Sequence, residues 1–313
     1  MAEKIATREA YGKALAALGE HNKDVVVLDA DLSKSTKTAV FQKSFPNRFF
    51  NMGIAEQNLM GTAAGFATAG KIPFASTFAM FATGRAFEII RNSIGYPNLN
   101  VKICATHAGI TVGEDGASHQ ALEDLACMRA IPNMVVMNPA DAVSAEKAVF
   151  AAADYKGPVY IRFGRLNVPV VYDAATFSFE IGKGIEVKAG KDVALIGTGI
   201  MLAEALKARE ILLQEGIEAR VIDMHTIKPI DKEIIIKAAE ETGAIVTAEE
   251  HNIIGGLGSA VAEVLVENKP VPMKRVGTMD TFGESGKPDA LMEKYGLTAA
   301  KIVEMAKSAI QMK

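Results

Sequence analysis

Cysteine is scarce in this chain, tryptophan is missing, and no long hydrophobic run interrupts the sequence. Cys104 and Cys127 both lie among apolar residues, so they do not form the framework of paired cysteines that is typical of small secreted proteins. No segment approaches the ~20 uninterrupted apolar residues of a membrane-spanning helix. The first residues, MAEKIATREAYGKAL, include acids and lack the apolar stretch of a signal peptide. We therefore expect a cytoplasmic protein.

A large excess of charge of either sign is also missing. The net charge is −3 in 313 residues. Because nucleic acids and anionic membranes select for strongly basic surfaces, we expect neither as a partner. Hydrophobic residues make up 49% of the chain, which is enough to form a sizeable core. A length of 313 residues predicts about two domains.

Apolar strands and helical segments alternate along the sequence. The run VVVLD is typical of a strand buried on both faces of a parallel sheet. The preceding segment, TREAYGKALAALGEHN, spaces its apolar residues three and four apart, as a helix does. The alternation continues through a predicted helix, GRAFEIIRNSI, to GPVYIRFGR. It restarts with two predicted strands, DVALIGTG and EARVIDMHTI, which are separated by a helix. This pattern predicts an α/β fold of two three-layer domains with mostly parallel sheets. We place them at residues 1–174 and 191–313, joined by a linker at 175–190.

A single acid, Glu56, stands in the segment MGIAEQ, at the head of a predicted helix that is rich in glycine and alanine. One interpretation is an ordinary first-turn acid that the helix dipole favours. The other follows from its neighbours, since the apolar Met52, Ile54 and Leu59 indicate that the acid is partly buried. A buried acid needs a partner and can hold or share a proton near neutral pH.

The segment THAGITVGEDGASHQALED combines three glycines with acids and two of the five histidines in the chain. Glycines allow a loop to turn tightly around a ligand. Asp115 or Ser118 could instead cap a following helix, QALEDLACMRA. A zinc site on His107 and His119 is a further alternative, although their spacing matches no common zinc motif.

Other candidates have both a structural and a functional interpretation. Phe78 and Phe81 have helical spacing, which is usual in a core but could also present an aromatic face to a flat heterocycle. Arg8, Arg162 and Arg165 could bind phosphate, because guanidinium groups grip phosphate bidentately. The segment EEHNIIGGLGS favours an interfacial or structural role, and the isolated His225 favours a structural one.

Several of these segments, taken in order, resemble one enzyme family. MGIAEQ, FASTFAMF, ATHAGITVGEDGASHQ, IPNMVVMNPAD and RLNVP occur in this chain in the order and spacing of the transketolases. The resemblance spans the pyrimidine-binding and C-terminal domains of that family. The chain departs from the family pattern after the second phenylalanine. Many members have a tyrosine three residues later, where this chain has Gly84 followed by Arg85, so this wall of the pocket differs.

The resemblance implies a thiamine diphosphate enzyme and assigns roles to individual residues. Glu56 would face the pyrimidine ring of the cofactor and control a proton there. His119 and His107 would join it as catalytic residues. The cofactor-binding residues would be Glu56, Phe78, Phe81 and His119. The substrate-binding residues would be Arg8, Ser35, His107, Asp115 and Arg165, with Arg162 as a second candidate for the phosphate.

The resemblance also implies a missing partner. The family holds Mg²⁺ and the cofactor diphosphate on an amino-terminal domain with a Gly-Asp-Gly segment, which this sequence lacks. We therefore expect no metal ligand in this chain and an association with an N-terminal subunit, as in a heterotetramer. The reaction would move a two-carbon ketol group between sugar phosphates. Alternatives are a deoxyxylulose-phosphate synthase-like subunit, a 2-oxo-acid dehydrogenase β subunit and a non-catalytic scaffold. The glycine-rich helix after Glu56 is the expected interface.

Overall fold

A computed structural model describes residues 3–313, and its larger sheet has seven strands. The strand order is β3-β2-β4-β5-β7-β6-β12. The first six run parallel, and β12 is antiparallel to β6. A small antiparallel pair, β1 and β8, lies outside this sheet. The strands are β1 Lys4–Ala6, β2 Val25–Asp29, β3 Phe49–Asn51, β4 Ile72–Phe78, β5 Lys102–Thr106, β6 Val135–Met137, β7 Val159–Arg162, β8 Asn167–Pro169 and β12 Thr226–Lys228.

The second sheet has five strands in the order β14-β13-β10-β11-β9. Only β9, at its edge, is antiparallel to its neighbour. The strands are β9 Ile185–Lys188, β10 Val193–Gly197, β11 Ala219–Asp223, β13 Ile245–Asn252 and β14 Met273–Thr278. The prediction of two α/β domains with mostly parallel sheets is therefore confirmed.

Helices cover both faces of each sheet. They are α1 Thr7–His21, α2 Ser33–Thr36, α3 Ala39–Ser44, α4 Glu56–Thr68, α5 Phe87–Ile89, α6 Asp124–Arg129, α7 Ala142–Asp154, α8 Met201–Gln214, α9 Lys232–Thr242, α10 Leu257–Asn268, α11 Pro288–Lys294 and α12 Ala299–Ile310.

The run VVVLD shows why the central strands are apolar throughout. Val25 and Val27 enter a core formed with α1 and α7, whereas Val26 and Leu28 enter a core formed with α4. Successive side chains of a strand point to opposite faces, so a strand covered on both faces has no polar side. The second of these cores continues into α9 and α10 of the second domain.

One strand crosses between the domains. The segment EARVIDMHTI was expected to form a single strand, but it forms β11 in the second sheet and then β12 at the edge of the first. Lys228 donates hydrogen bonds from Nζ to the carbonyls of Arg129 and Ile131, at 2.9 and 2.6 Å.

The predicted linker 175–190 includes β9, so residues 185–188 of the linker belong to the second sheet. The domain boundaries themselves stay a prediction.

Two helix predictions differ from the structure. The segment GRAFEIIRNSI was expected to be one helix, but it contains the short α5 followed by a π-helical turn at Ile90–Gly95. A second π-helical turn, Phe81–Arg85, precedes α5. The helix expected from QALEDLACMRA begins only at Asp124 and has no side-chain cap. The capping interpretation of Asp115 or Ser118 is therefore wrong; the Ser118 hydroxyl lies 3.0 Å from Nδ1 of His119.

Within residues 3–313, no helix combines the length and apolar character that crossing a bilayer requires.

Candidate active site

A buried carboxylate stands at the start of α4. Gly53, with a φ of +71° that favours glycine, turns the chain after β3, and α4 then begins at Glu56. The Glu56 side chain is 2% exposed, and its Oε2 accepts a hydrogen bond of 2.8 Å from Nη1 of Arg85. The acid is thus buried and paired, as its apolar neighbours indicate.

Arg85 belongs to this site, although the sequence interpretation gave it no role. Its side chain is 52% exposed. Its guanidinium carbon lies 5.0 Å from the centre of the Phe81 ring, so one flat cation bridges the aromatic ring and the Glu56 carboxylate. The π-helical turn Phe81–Arg85 sets this position. The sequence pointed to this position, because Gly84 and Arg85 depart from the pattern of the family that the chain resembles.

Aromatic rings form the wall next to this ion pair. β4 ends at Phe78, whose ring centre lies 5.8 Å from that of Phe81. His107 stacks on Phe78 with ring centres 3.9 Å apart, and His119 meets the edge of Phe81 at 5.3 Å. The structure therefore brings both predicted phenylalanines together with both predicted histidines.

His107 is held as a neutral imidazole of defined tautomer. Arg8 can only donate, so Nε2 of His107 accepts from Nη1 of Arg8 at 3.3 Å. Nδ1 therefore carries the proton and faces the Thr106 hydroxyl oxygen at 2.9 Å. Burial, and then the positive charges of Arg8 and Arg165, lower the pKa of His107 to about 3. The backbone of His107 is left-handed, with a φ of +56°.

Asp29 organises the neighbouring loop that carries Ser35. It ends β2 and is fully buried. Its carboxylate accepts hydrogen bonds from the Leu32 amide at 2.6 Å and from the hydroxyls of Thr36 and Thr38 at 2.7 and 2.9 Å. The loop in turn presents the carbonyl of Ser35, which accepts a 2.9 Å hydrogen bond from Arg8. The sequence interpretation missed Asp29, although an acid directly after a buried strand was a usable signal.

Positive charge gathers beside His107. Arg165 donates to the carbonyl of Val112 and lies 3.7 Å from the carboxylate of Asp115. Burial lowers the pKa of Arg8, and the positive charge of Arg165 also lowers it. Three cations, Arg8, Arg165 and Lys37, act on the pKa of His107 in the same direction. This cluster can bind an anion on the side of the site where Arg8 contacts His107.

Arg162 does not belong to this cluster, so its assignment as a second phosphate-binding candidate is wrong. Its side chain is buried, and Nε donates to Asp124 at 2.8 Å. Nη2 donates to the carbonyl of Glu250, also at 2.8 Å. A guanidinium whose N–H groups already donate to buried protein acceptors has no free pair of N–H donors for a phosphate.

The buried histidines His225 and His251 have structural surroundings. His225 is buried and stacks on Phe179 with ring centres 4.1 Å apart. His251 is buried, and Glu249 accepts from two amides at the start of α10. Among residues 3–313, no group of three or more His, Cys, Asp or Glu side chains could hold a metal ion.

Two family models match the chain. The first, described as transketolase, pyrimidine binding domain, matches residues 3–171. The second, described as transketolase, C-terminal domain, matches residues 182–302.

Individual proteins agree with these matches. A Methanocaldococcus jannaschii protein, whose name describes it as a putative transketolase C-terminal section, is 55% identical over 95% of this chain and 94% of its own length. A 6-deoxy-6-sulfo-D-fructose transketolase subunit from Clostridium sp. (strain MSTE9) is 43% identical over 98% of this chain and 95% of its own length.

A solved structure named "Split gene transketolase, inactive beta4 tetramer" is 62% identical, has a TM-score of 0.93 and is covered to 99% along both chains. The chain spans only about half, 49%, of the rat and human transketolases that it matches. On the evidence of these matches, the chain belongs to the transketolase family and carries its pyrimidine-binding and C-terminal domains.

Proposed function

We propose that this chain is the C-terminal subunit of a two-subunit transketolase. The enzyme would use thiamine diphosphate to transfer a two-carbon ketol group reversibly from a ketose phosphate to an aldose phosphate. The observation that carries the proposal is the buried Glu56 carboxylate beside the ring of Phe81, with a cluster of cations farther along the same site.

The residues present fit the pyrimidine half of thiamine diphosphate. Arg85, a planar group with N–H donors, already spans the Phe81 ring and the Glu56 carboxylate. An aminopyrimidine is likewise planar and bears N–H donors, so it can use the same ring face and the same acceptor. Phe78, Phe81, His119 and Glu56 would hold this half. The diphosphate would need other ligands, which we expect on the partner together with Mg²⁺.

When bound, thiamine diphosphate supplies the carbanion chemistry of the reaction. The role proposed for Glu56 is to hold or share a proton at the pyrimidine ring, because its Oε2 is a buried acceptor that already binds an N–H donor beside the Phe81 ring. His119 lies at the edge of Phe81 and would donate a hydrogen bond to the substrate near the reacting carbonyl. His107, neutral with Nδ1 protonated, would orient the substrate rather than exchange protons.

The cations would position the far end of the substrate. Arg8 and Arg165 would bind the phosphate with Ser35, and Asp115 would accept a hydrogen bond from a sugar hydroxyl. Fixing both ends of a substrate aligns its reactive carbonyl and lowers the entropic part of the barrier. A sulfonate carries a similar oxyanion, and one relative is named as a sulfofructose transketolase subunit. A sulfo-sugar is therefore a second candidate for the donor.

A partner would complete the enzyme. This chain covers about half of the mammalian transketolases, and the structure 62% identical to it is named an inactive tetramer of one kind of subunit. We therefore propose a cytoplasmic heterotetramer with an N-terminal subunit, active in the pentose phosphate pathway. The chain alone should have no transferase activity (EC 2.2.1.1).

The test is a reconstitution with the N-terminal subunit, thiamine diphosphate and Mg²⁺. Xylulose 5-phosphate, 6-deoxy-6-sulfo-D-fructose and pyruvate would be compared as donors; pyruvate probes the deoxyxylulose-phosphate synthase-like and 2-oxo-acid alternatives. We expect Glu56→Gln to lower kcat at least about 100-fold, while Glu263→Gln, an exposed acid paired with Arg129, leaves it unchanged. Full activity of Glu56→Ala, or activity of the isolated chain, would overturn the proposal.

A further inference from the structure

We propose that the C-terminal domain shapes the substrate loop, residues 107–121, and that Glu250 is the positioning residue at this contact. The inference rests on the proposed function, because it gives that loop its task of presenting His107, Asp115 and His119. It extends the proposal by assigning the C-terminal domain a part in the site, since every site residue of the proposed function lies in residues 1–174.

The first contact is made by the Glu250 side chain. Glu250 lies on β13 of the second sheet and is 2% exposed. It reaches into the first domain, where Oε1 accepts a 2.7 Å hydrogen bond from the Thr111 amide. Gly109 lies directly against it, with a φ of +83°. A methyl group added at Gly109 would lie 2.2 Å from the Glu250 carboxyl carbon, so no larger residue fits.

The other two glycines of the loop also lie against the second domain. A methyl group at Gly113 would lie 3.1 Å from Pro288, and one at Gly116 would lie 2.5 Å from the Ser285 hydroxyl oxygen. Both glycines have positive φ. The sequence interpretation attributed these glycines to close approach of a ligand, but in the structure it is the second domain that approaches them.

Both domains fix the end of the loop. Nε2 of Gln120 donates to the carbonyl of Glu284 in the second domain at 2.9 Å and to the carbonyl of Ile110 within the loop at 3.1 Å. Arg162 donates to the carbonyls of Ala121 and Glu250, at 3.3 and 2.8 Å. The loop is therefore held near its beginning and at its end.

The neighbouring Glu249 shows that the reach of Glu250 into the other domain is specific. Both acids are buried on β13. Glu249, however, stays within its own domain and accepts from the amides of Leu257 and Gly258, at 2.7 and 2.8 Å, at the start of α10. The two adjacent acids thus form a matched pair, one serving a helix and the other the substrate loop.

Hydrogen exchange of the isolated subunit, measured by mass spectrometry without cofactor or partner, tests the inference. In Glu250→Ala we expect amides of residues 109–121 to exchange at least about tenfold faster, with α10 unchanged. Glu250→Gln keeps an oxygen acceptor for the Thr111 amide and should restore protection. Glu249 accepts through both carboxylate oxygens, so Glu249→Gln loses one of its two acceptors. It should speed exchange at the start of α10 and leave the loop unchanged.

Unchanged exchange of the loop in Glu250→Ala would overturn the inference, and so would equal acceleration throughout the chain, which indicates general destabilisation. If the alanine variant does not fold, Glu250→Asp takes its place. It keeps the charge near Arg162, whose Nη1 lies 3.8 Å from Oε2, but is one methylene too short to reach Thr111.

Kinetics of the reconstituted enzyme supply the second readout. Because Glu250 holds the loop at Thr111, between the substrate-binding residues His107 and Asp115, Glu250→Ala should raise KM for the sugar phosphate about tenfold and change kcat less than about threefold. Glu250→Gln should return KM to the original value. The exchange experiment needs no activity, so it can contradict the role of Glu250 while the transketolase proposal holds. Likewise, the exchange result can support the role of Glu250 even if the reconstituted enzyme is not a transketolase.

Discussion

The ion pair of Glu56 and Arg85 joins a buried carboxylate to a half-exposed guanidinium. A buried charge that loses its partner is costly, whereas the exposure of Arg85 weakens the pair by solvent screening. The acid therefore depends on the pair more than the cation does. This asymmetry suits a cation that can move away when another N–H donor takes its place.

We expect Arg85→Ala to lower the free energy of unfolding of the isolated subunit by about 1 to 2 kcal/mol. In a Glu56→Gln background the same change should cost much less, because no buried charge is left alone. Urea unfolding of the two single variants and the double variant measures the difference. Equal losses in both backgrounds would mean that the pair contributes no coupling energy.

His107 gives the stability a predictable pH dependence. Its pKa is lowered to about 3 in the folded chain by burial and by Arg8, against about 6.5 in the unfolded chain. The unfolded state therefore binds the proton first as the pH falls, and the stabilising contribution present above pH 6.5 is lost progressively towards pH 3.

We expect His107→Asn to reduce the loss of unfolding free energy between pH 7 and pH 5 by about 1 to 2 kcal/mol. Asparagine tolerates the left-handed backbone of this position. Denaturant unfolding at the two pH values measures the change, with His21→Asn, an exposed histidine, as the control. A decrease as steep as that of the unaltered protein would contradict the assignment of a neutral His107.

At the scale of elements, α4 presents an unusual exposed face. Gly61 and Gly65 are exposed and one turn apart, and a methyl group at either would meet no atom within 4 Å. Glycine in a helix interior costs roughly 0.5–1 kcal/mol relative to alanine. The expected use of a face with no side chains is close approach by another subunit, which is the interface predicted from the sequence.

We therefore expect Gly61→Ala and Gly65→Ala to stabilise the isolated subunit, each raising its Tm by a few degrees. Gly61→Met should leave the subunit folded but weaken assembly with the partner, which size-exclusion chromatography of the mixture would show. Gly19→Ala is the matched control within a helix, because its methyl group would lie 2.5 Å from Phe41 and should destabilise. Normal assembly of Gly61→Met would remove α4 from the interface.

At the scale of the whole molecule, the two domains depend on each other. β12 comes from the second half of the chain but covers the edge of the first sheet, where Thr226 pairs with Met137. One apolar core also extends across both domains, from Leu28 to Val261. Separating the halves would expose a strand edge and part of this core.

We expect a fragment of residues 1–174 to aggregate when it is expressed alone, and to become soluble when it is expressed together with residues 175–313. Size-exclusion chromatography and circular dichroism of the two preparations test this. A monomeric, folded fragment 1–174 would show that β12 and the shared core are dispensable for the first domain.

The sequence predicted the local elements where the hydrophobic pattern was strong. VVVLD was identified as a buried strand and DVALIG as a strand because both are short, continuous apolar runs. The pattern failed around Ile90 and Arg85, where π-helical turns interrupt the helix, because the apolar spacing of a π-turn differs little from that of an α-helix over so few residues. The hydrophobic pattern also did not show that β12 is a separate strand in the first sheet, because a strand of three residues does not indicate which sheet it joins.

The sequence by itself determined the α/β class and the family, and the apolar neighbours of Glu56 indicated its burial. The resemblance to the family implied that Phe78, Phe81, His107 and His119 belong to one site. Residue chemistry and order along the chain carry this information. Only the tertiary structure decided that Arg85 pairs with Glu56, that Arg162 is buried with Asp124, and that the second domain presses on the substrate loop. Contacts between residues far apart in the chain depend on how the sheets pack, which no local pattern records.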